Sequence, residues 1–321
     1  MKYIILIFFL FSSSCCYSAW HQKQFEVMGT IAKVEFESDD EKLATKLIEQ
    51  VVAEMHRIDH LMSPYKEDSE LSKINNLAGK YPVKISDEMF NLLKVSLYYS
   101  ELTSGAFDIS FSSVGYLYDY RNSKKPTEDQ KQSLVEQINF RNIHLNDTDK
   151  SVKFDSQQLK IDLGGIAKGH AVDRCIEILR KQGVKNAFVS AGGDSQVVGK
   201  KNDRLWYIGI RHPRDDKKLI VNLPLEEVSI STSGDYERFF IQDGIRYHHI
   251  IDPKTGDSAR DSQSVTILAP SSTMADALST SVFILGAIRG LALINEIPQT
   301  SAIIIDNRGM LHYSNDLVSP K

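Results

Sequence analysis

The sequence predicts an α+β fold, a single composite domain of mixed β-sheets with flanking helices. Three observations carry the prediction. The N-terminal half holds two long segments with helical spacing of apolar residues, 41–61 and 86–102. From Val152 onward the pattern changes to strand, helix and then many short strands. No internal repeat and no linker rich in proline or glycine divides the chain, so these elements share one core. A chain of 321 residues, 42% hydrophobic and 25% charged, is long enough to build it.

The first segment stands apart from that core. Lys2 precedes an apolar run over residues 3–11, followed by Ser12, Ser13, Ser14, Cys15 and Cys16. A run this short falls below the ~20 residues of a membrane span, and with its basic start and small residues beyond it reads as an export signal over residues 1–19. Cleavage after Ala19 gives a soluble product, whereas cleavage before Cys15 leaves a cysteine open to lipid attachment. The lipid anchor is favoured, although Ser12 stands where such signals usually carry an aliphatic residue. Residues 20–321 are then the exported domain, and no later segment is expected to span a membrane. Cys175 is left alone in that domain, in a helical stretch beside Ile176, Ile178 and Leu179, and is expected to be a buried, inert thiol.

Along the domain, alternation over residues 25–36 predicts a strand pair turning at Met28-Gly29-Thr30, and helical spacing follows over 41–61. Met62-Ser63-Pro64-Tyr65 is a loop, and Ser69-Glu70-Leu71 opens a short helix. The helix over 86–102 stops at Thr103-Ser104-Gly105, and the charged stretch 124–137 is a solvent-facing excursion. Strands are expected at 159–161, 187–190, 206–211, 227–232, 246–251 and 301–305. A helix running to Lys181 follows the first of them, and a helix over 273–285, capped by Ser272, precedes the last.

A formal net charge of -4 and the lack of a long basic run exclude an electrostatic nucleic-acid binder. Chemistry concentrates elsewhere. In Asp162-Leu163-Gly164-Gly165-Ile166-Ala167-Lys168-Gly169 a strand end, a glycine turn and a helix start meet, which lets backbone N–H groups approach an anion while Lys168 adds a mobile positive charge. An ordinary strand-to-helix turn has the same appearance. Asp276 and Thr280, four apart on a helix apolar nearly all round, share a face and suit a hard cation. Read alone, Asp276 is equally a buried carboxylate bonded to backbone or to an arginine. His248 and His249 precede the turn Asp252-Pro253-Lys254-Thr255-Gly256 on a strand, so they face opposite sides and one of them points inward, as a proton acceptor or as a partner of backbone groups. Two further glycine turns, Gly105-Ala106-Phe107-Asp108 and Gly192-Gly193-Asp194, complete the parts of a site for a dinucleotide diphosphate with a divalent cation. There is no GxGxxG fingerprint of the nicotinamide-binding type.

In this order the motifs, together with Met28-Gly29-Thr30, Met62-Ser63-Pro64-Tyr65, Ser69-Glu70-Leu71, Ser233-Gly234-Asp235-Tyr236, His249-Ile250-Ile251-Asp252-Pro253 and Ala275-Asp276-Ala277, resemble those of the ApbE family of FAD:protein FMN transferases. The resemblance covers essentially the whole exported domain. It implies transfer of FMN from FAD to a threonine or serine hydroxyl of an exported or membrane-bound protein, with release of AMP and a requirement for Mg2+. It implies acceptors like the subunits of sodium-pumping NADH:quinone oxidoreductase and Rnf-type complexes, and a location at the periplasmic face of the inner membrane. It further implies that Met28, Tyr65, Ala106, Phe107, Asp108, Asp162, Lys168 and Ile251 line the FAD site. Gly165 through its carbonyl and Asp276 and Thr280 through their side chains would hold the metal, and His249 would be the base. Removing His249 should then matter less as pH falls below about 6.5. Two departures stand out: Gly165 replaces a common alanine, and Ser279 stands where some relatives carry an acidic metal ligand. The same site could serve an FAD pyrophosphatase, with water as acceptor, or a flavin-binding lipoprotein without catalysis.

Overall fold

A computed structural model describes residues 19–318; the export segment and Cys15 lie outside the described residues. The chain opens with a hairpin, β1 (Ala19–Val27) and β2 (Thr30–Ser38), turning at Met28 and Gly29, both at positive φ. Helix α1 (Glu41–Met62) is capped by the Asp40 carboxylate and buries Leu47, Val51, Met55 and Ile58 at the spacing the sequence shows. Ser69 caps α2 (Glu70–Leu77), β3 (Val83–Lys84) follows, and Ser86 caps α3 (Asp87–Leu102). A short α4 (Ser112–Gly115) leads to α5 (Glu128–Val135), which has no buried residue and is closed by a Thr127–Gln130 capping box. The solvent-facing excursion is therefore a surface helix. Strands β4 (Ile143–Asn146) and β5 (Ser151–Phe154) join β3 in a small sheet.

The second half begins with α6 (Ala167–Lys181), β6 (Ala187–Ala191), β7 (Asp194–Val198) and a hairpin of β8 (Trp206–His212) and β9 (Asp215–Leu225). Then come β10 (Val228–Gly234), the hairpin β11 (Phe239–Gln242) and β12 (Ile245–His248), and β13 (Ser262–Ala269). Helix α7 (Ser272–Glu296), β14 (Ser301–Asp306), β15 (Leu311–Tyr313) and α8 (Asn315–Val318) complete the fold. The main sheet has eight strands in the order β1-β2-β6-β7-β10-β13-β14-β15, each neighbouring pair antiparallel. Helices α1, α6 and α7 pack on this sheet and α6 on both other helices. Their shared core holds Phe36, Met55, Phe90 and Phe283. Cys175 is fully buried there, its thiol donating to the Val51 carbonyl.

Four expectations need correction. Residues 159–161 form no strand, because the Asn75 side chain bonds both the N–H (2.8 Å) and the carbonyl (2.9 Å) of Ile161 in place of a strand partner. The strand expected over 246–251 stops at His248, where the Ser258 hydroxyl bonds the backbone N–H and carbonyl of that residue. Helix α7 is capped by Ser271, not Ser272, and runs past Leu285 to Glu296 through a break at Gly286 (φ 73°, ψ 175°). At that length α7 is apolar and long enough to cross a membrane, yet its first half is core, with Ala275, Ala277, Leu278, Val282 and Phe283 fully buried.

Helices α6 and α7 touch where Gly169 faces Ser272. A Cβ at position 169 would stand 2.2 Å from the Ser272 carbonyl oxygen and 2.9 Å from the Asp276 Cβ. Gly169→Ala should therefore push the helices apart and cost at least ~2 kcal/mol by overpacking, read as a fall of several degrees in Tm. An unchanged Tm would mean that the helices are not held this closely.

Candidate functional site

The glycine turn delivers the start of α6 to the start of α7. Asp162 opens it, donating its N–H to the Ile109 carbonyl (2.9 Å) and accepting the Gly164 N–H (2.6 Å) at Oδ1. Burial pushes its carboxyl above the usual range, against the positive charges of Arg238 and Lys168. The next N–H groups are also spoken for: those of Ile166 and Ala167 donate to the Leu163 carbonyl, and that of Gly169 to Asp276 Oδ2 at 3.1 Å. Part of the N–H set expected to face a phosphate is thus committed within the protein. The helix start holds a carboxylate of the protein itself.

That carboxylate belongs to a buried charge cluster. Lys168 Nζ bonds the Asp194 carboxylate and lies 3.5 Å from Asp276 Oδ2, while the two acidic side chains are only 2% and 3% exposed. Asp194 also accepts the Ser231 hydroxyl. Burial alone would lower Lys168, but the two carboxylates more than offset it and hold the lysine above its ordinary value. Burial first, and then the charge of Asp194, pushes the Asp276 carboxyl up. One lysine against two carboxylates leaves the cluster a negative charge in excess, and the raised Asp276 marks where a cation would relieve it.

Thr280 and Gly165 adjoin Asp276. The Thr280 hydroxyl would lie 3.2 Å from a Cβ on Gly165, and the Phe107 ring 3.3 Å from it, so these three residues converge. Alanine fits there after a shift of a few tenths of an ångström. Ser279 does not face this group alone: its hydroxyl bonds Ser231 (2.9 Å), Ser233 (2.8 Å) and the Asp276 carbonyl (3.0 Å). Among the described residues no three His, Cys, Asp or Glu side chains form a metal cage. Oxygen donors from Asp276, Thr280 and the Gly165 turn fit a hard divalent cation that keeps water or substrate oxygens in its remaining positions.

The two histidines divide their roles. His248, 2% exposed, donates Nε2–H to the Ala259 carbonyl (2.8 Å), accepts the Ile250 N–H at Nδ1 (3.3 Å) and sets its ring edge-on to Phe283. It is a satisfied core residue. His249 is anchored by its backbone N–H on the Arg238 carbonyl (3.1 Å), and its Nδ1 is buried with no hydrogen-bond partner. Burial, then the positive charges of His248, Arg238 and Lys168, lowers its pKa to about 3. A neutral imidazole with an open nitrogen beside a charged cluster is suited to accept a proton.

Met28 and Tyr65 stand on the same side. The Met28 carbonyl accepts from Arg238 Nη2 at 3.4 Å, and Tyr65, 83% exposed, lies within electrostatic reach of Asp162, Arg238 and Arg121. Ala106 and Asp108 join the site through their neighbours Phe107 and Ile109. The Asp108 carboxylate is itself spent on structure, accepting from Ser110 N–H and hydroxyl and from Phe140 N–H (2.9 Å). Ile251 packs in a separate apolar cluster with Val114, Tyr118, Phe240 and Tyr247. Asp194 and Arg238 had not been singled out as site residues. Asp194 was visible only as the close of a glycine turn, and Arg238 carried no signal beyond its charge.

The chain is similar to known proteins in sequence and in fold. The sequence model of the ApbE family matches residues 28–305. An FAD:protein FMN transferase of Treponema pallidum is 33% identical over 87% of this chain and 82% of its own length. One from Haemophilus influenzae is 34% identical over 83% and 81%. The crystal structure of the ApbE protein of Thermotoga maritima superposes with a TM-score of 0.86 at 33% identity, covering 93% of this chain and 98% of that one. The flavin transferase ApbE from Vibrio cholerae gives 0.83 at 27% identity over the same shares. In sequence and in fold, this chain belongs to the ApbE family.

Proposed function

We propose that this protein is an Mg2+-dependent FAD:protein FMN transferase that attaches FMN through a phosphoester to a threonine or serine of an exported or membrane-bound flavoprotein subunit. The observation that carries the proposal is the buried pairing of Lys168 with Asp194 and Asp276 next to Thr280 and Gly165, with His249 within electrostatic reach of Lys168. Family membership supports the flavin chemistry.

Asp276, Thr280 and the Gly165 carbonyl would hold Mg2+, which when bound supplies charge neutralisation at the phosphoryl oxygens. Met28, Tyr65, Phe107 and Asp162 would bind and orient FAD, Tyr65 offering an exposed ring for stacking. The acceptor oxygen bonds to the FMN phosphorus as the bridging P–O bond breaks. AMP leaves with the bridging oxygen, and the hydroxyl proton passes to the His249 imidazole. Lys168, held by two carboxylates, keeps a fixed positive charge near the reacting phosphate without reorganising. The N-terminal signal and Cys15 would place the enzyme at the periplasmic face of the inner membrane, beside acceptors resembling subunits of sodium-pumping NADH:quinone oxidoreductase or Rnf-type complexes. Chelation should abolish transfer and Mg2+ should restore it; transfer that survives chelation would rule out the cation dependence.

A further inference from the structure

The diphosphate of FAD brings two negative charges that the groups around Lys168 do not meet. Lys168 is already shared by Asp194 and Asp276, and Asp162 adds a third carboxyl nearby. A divalent cation bound to Asp276 would only bring these four side chains to neutrality. The backbone offers little, because the N–H groups of Gly164, Ile166, Ala167 and Gly169 have acceptors inside the protein.

Arg238 is differently placed. It precedes β11, and its guanidinium lies across the β1–β2 turn, where Nη2 reaches the Met28 carbonyl at 3.4 Å. A Cβ at position 29 would stand 2.9 Å from that nitrogen, and Gly29 has φ +67°, a backbone conformation that favours glycine. No carboxylate of the described residues lies within ion-pair distance of Arg238, so most of its five N–H donors are uncommitted. Its charge is felt by Tyr65, Asp162 and His249, and its carbonyl anchors the His249 backbone.

We infer that Arg238 is a phosphate-binding residue, its guanidinium fork receiving the diphosphate of the dinucleotide while the Met28 carbonyl braces it. The identity of the ligand as FAD rests on the flavin-transfer reading.

The test compares wild type, Arg238→Gln and Arg238→Lys for binding of FAD and of riboflavin, which lacks the diphosphate, by flavin fluorescence, with FMN transfer by the wild type measured in parallel. Arg238→Gln should weaken FAD about 10- to 100-fold, as expected for loss of charge-assisted hydrogen bonds, and leave riboflavin unchanged. Its KM for FAD should rise more than its kcat falls. Arg238→Lys, which keeps the charge and the brace but loses the fork, should fall between, and it decides the matter if the glutamine variant does not fold. Unchanged FAD affinity, or equal losses for FAD and riboflavin, would overturn the assignment. A wild type that binds FAD but transfers no FMN would refute the transferase reading instead and leave the contrast between the two flavins to decide on Arg238.

Discussion

Replacing Asp276 with asparagine should remove FMN transfer while leaving the fold as stable as before, or slightly more so. The loss follows from the proposed cation site: Asp276 is the carboxylate on the shared face with Thr280, and taking away the one acidic donor of a cation proposed to stabilise transition-state charge should cost several kcal/mol, about a thousandfold in rate. The stability follows from burial. The Asp276 carboxyl is held above its ordinary value by desolvation and then by Asp194, so its ionised form is disfavoured in the fold relative to the unfolded chain. At neutral pH, asparagine removes that like-charge contact, keeps the shape and can still accept the Gly169 N–H. Transfer assays and thermal denaturation of one preparation check both halves. Full activity would take Asp276 out of the cation site, and a large fall in Tm would make it a structural partner of Lys168.

His249→Ala should slow transfer by about 10²- to 10⁴-fold, the usual contribution of a positioned proton acceptor. The fold should lose only the packing of the ring, because Nδ1 makes no hydrogen bond to lose. The pH dependence differs from that of an ordinary histidine. With a pKa near 6.5 the wild type would lose its base below that pH and the gap to the variant would shrink. Burial and three neighbouring positive charges instead lower His249 to about 3 in the free protein, so the imidazole stays neutral and available well below 6.5. The ratio of kcat/KM between wild type and variant, which reports the free enzyme, should stay level from about pH 8 to pH 5. A ratio that collapses below about 6.5 would show that His249 is solvated as it works. A variant with wild-type activity at every pH would remove His249 as the base.

Much of this architecture was legible because it is local. The turn at Met28 and Gly29, the caps Ser69 and Ser86, and the apolar stripe of α1 are each decided within a few residues. Asp276 and Thr280 were legible for the same reason, since four residues on a helix fix a shared face. What escaped depends on distant partners. Residues 159–161 look like a strand, but Asn75, far back in α2, satisfies Ile161 with its side chain. Strand β13 is not among the expected strands; its polar opening Ser262-Gln263-Ser264 becomes strand because it lies between β10 and β14, where its serines are buried. That Asp276 takes the Gly169 N–H at the α6 start, from more than a hundred residues away, was equally hidden. Asp194 became a site residue only when β7 placed it against Lys168, and Arg238 only when a hairpin laid it over Met28.

The most direct test of flavin transfer is the stoichiometry of one reaction: purified protein, FAD, Mg2+ and a threonine-bearing acceptor domain, with the acceptor weighed by mass spectrometry and AMP measured in the same tube. The account predicts an acceptor heavier by one FMN for each AMP released. AMP and free FMN beside an unmodified acceptor would contradict it in favour of a pyrophosphatase, and FAD recovered intact would leave a flavin-binding protein without catalysis.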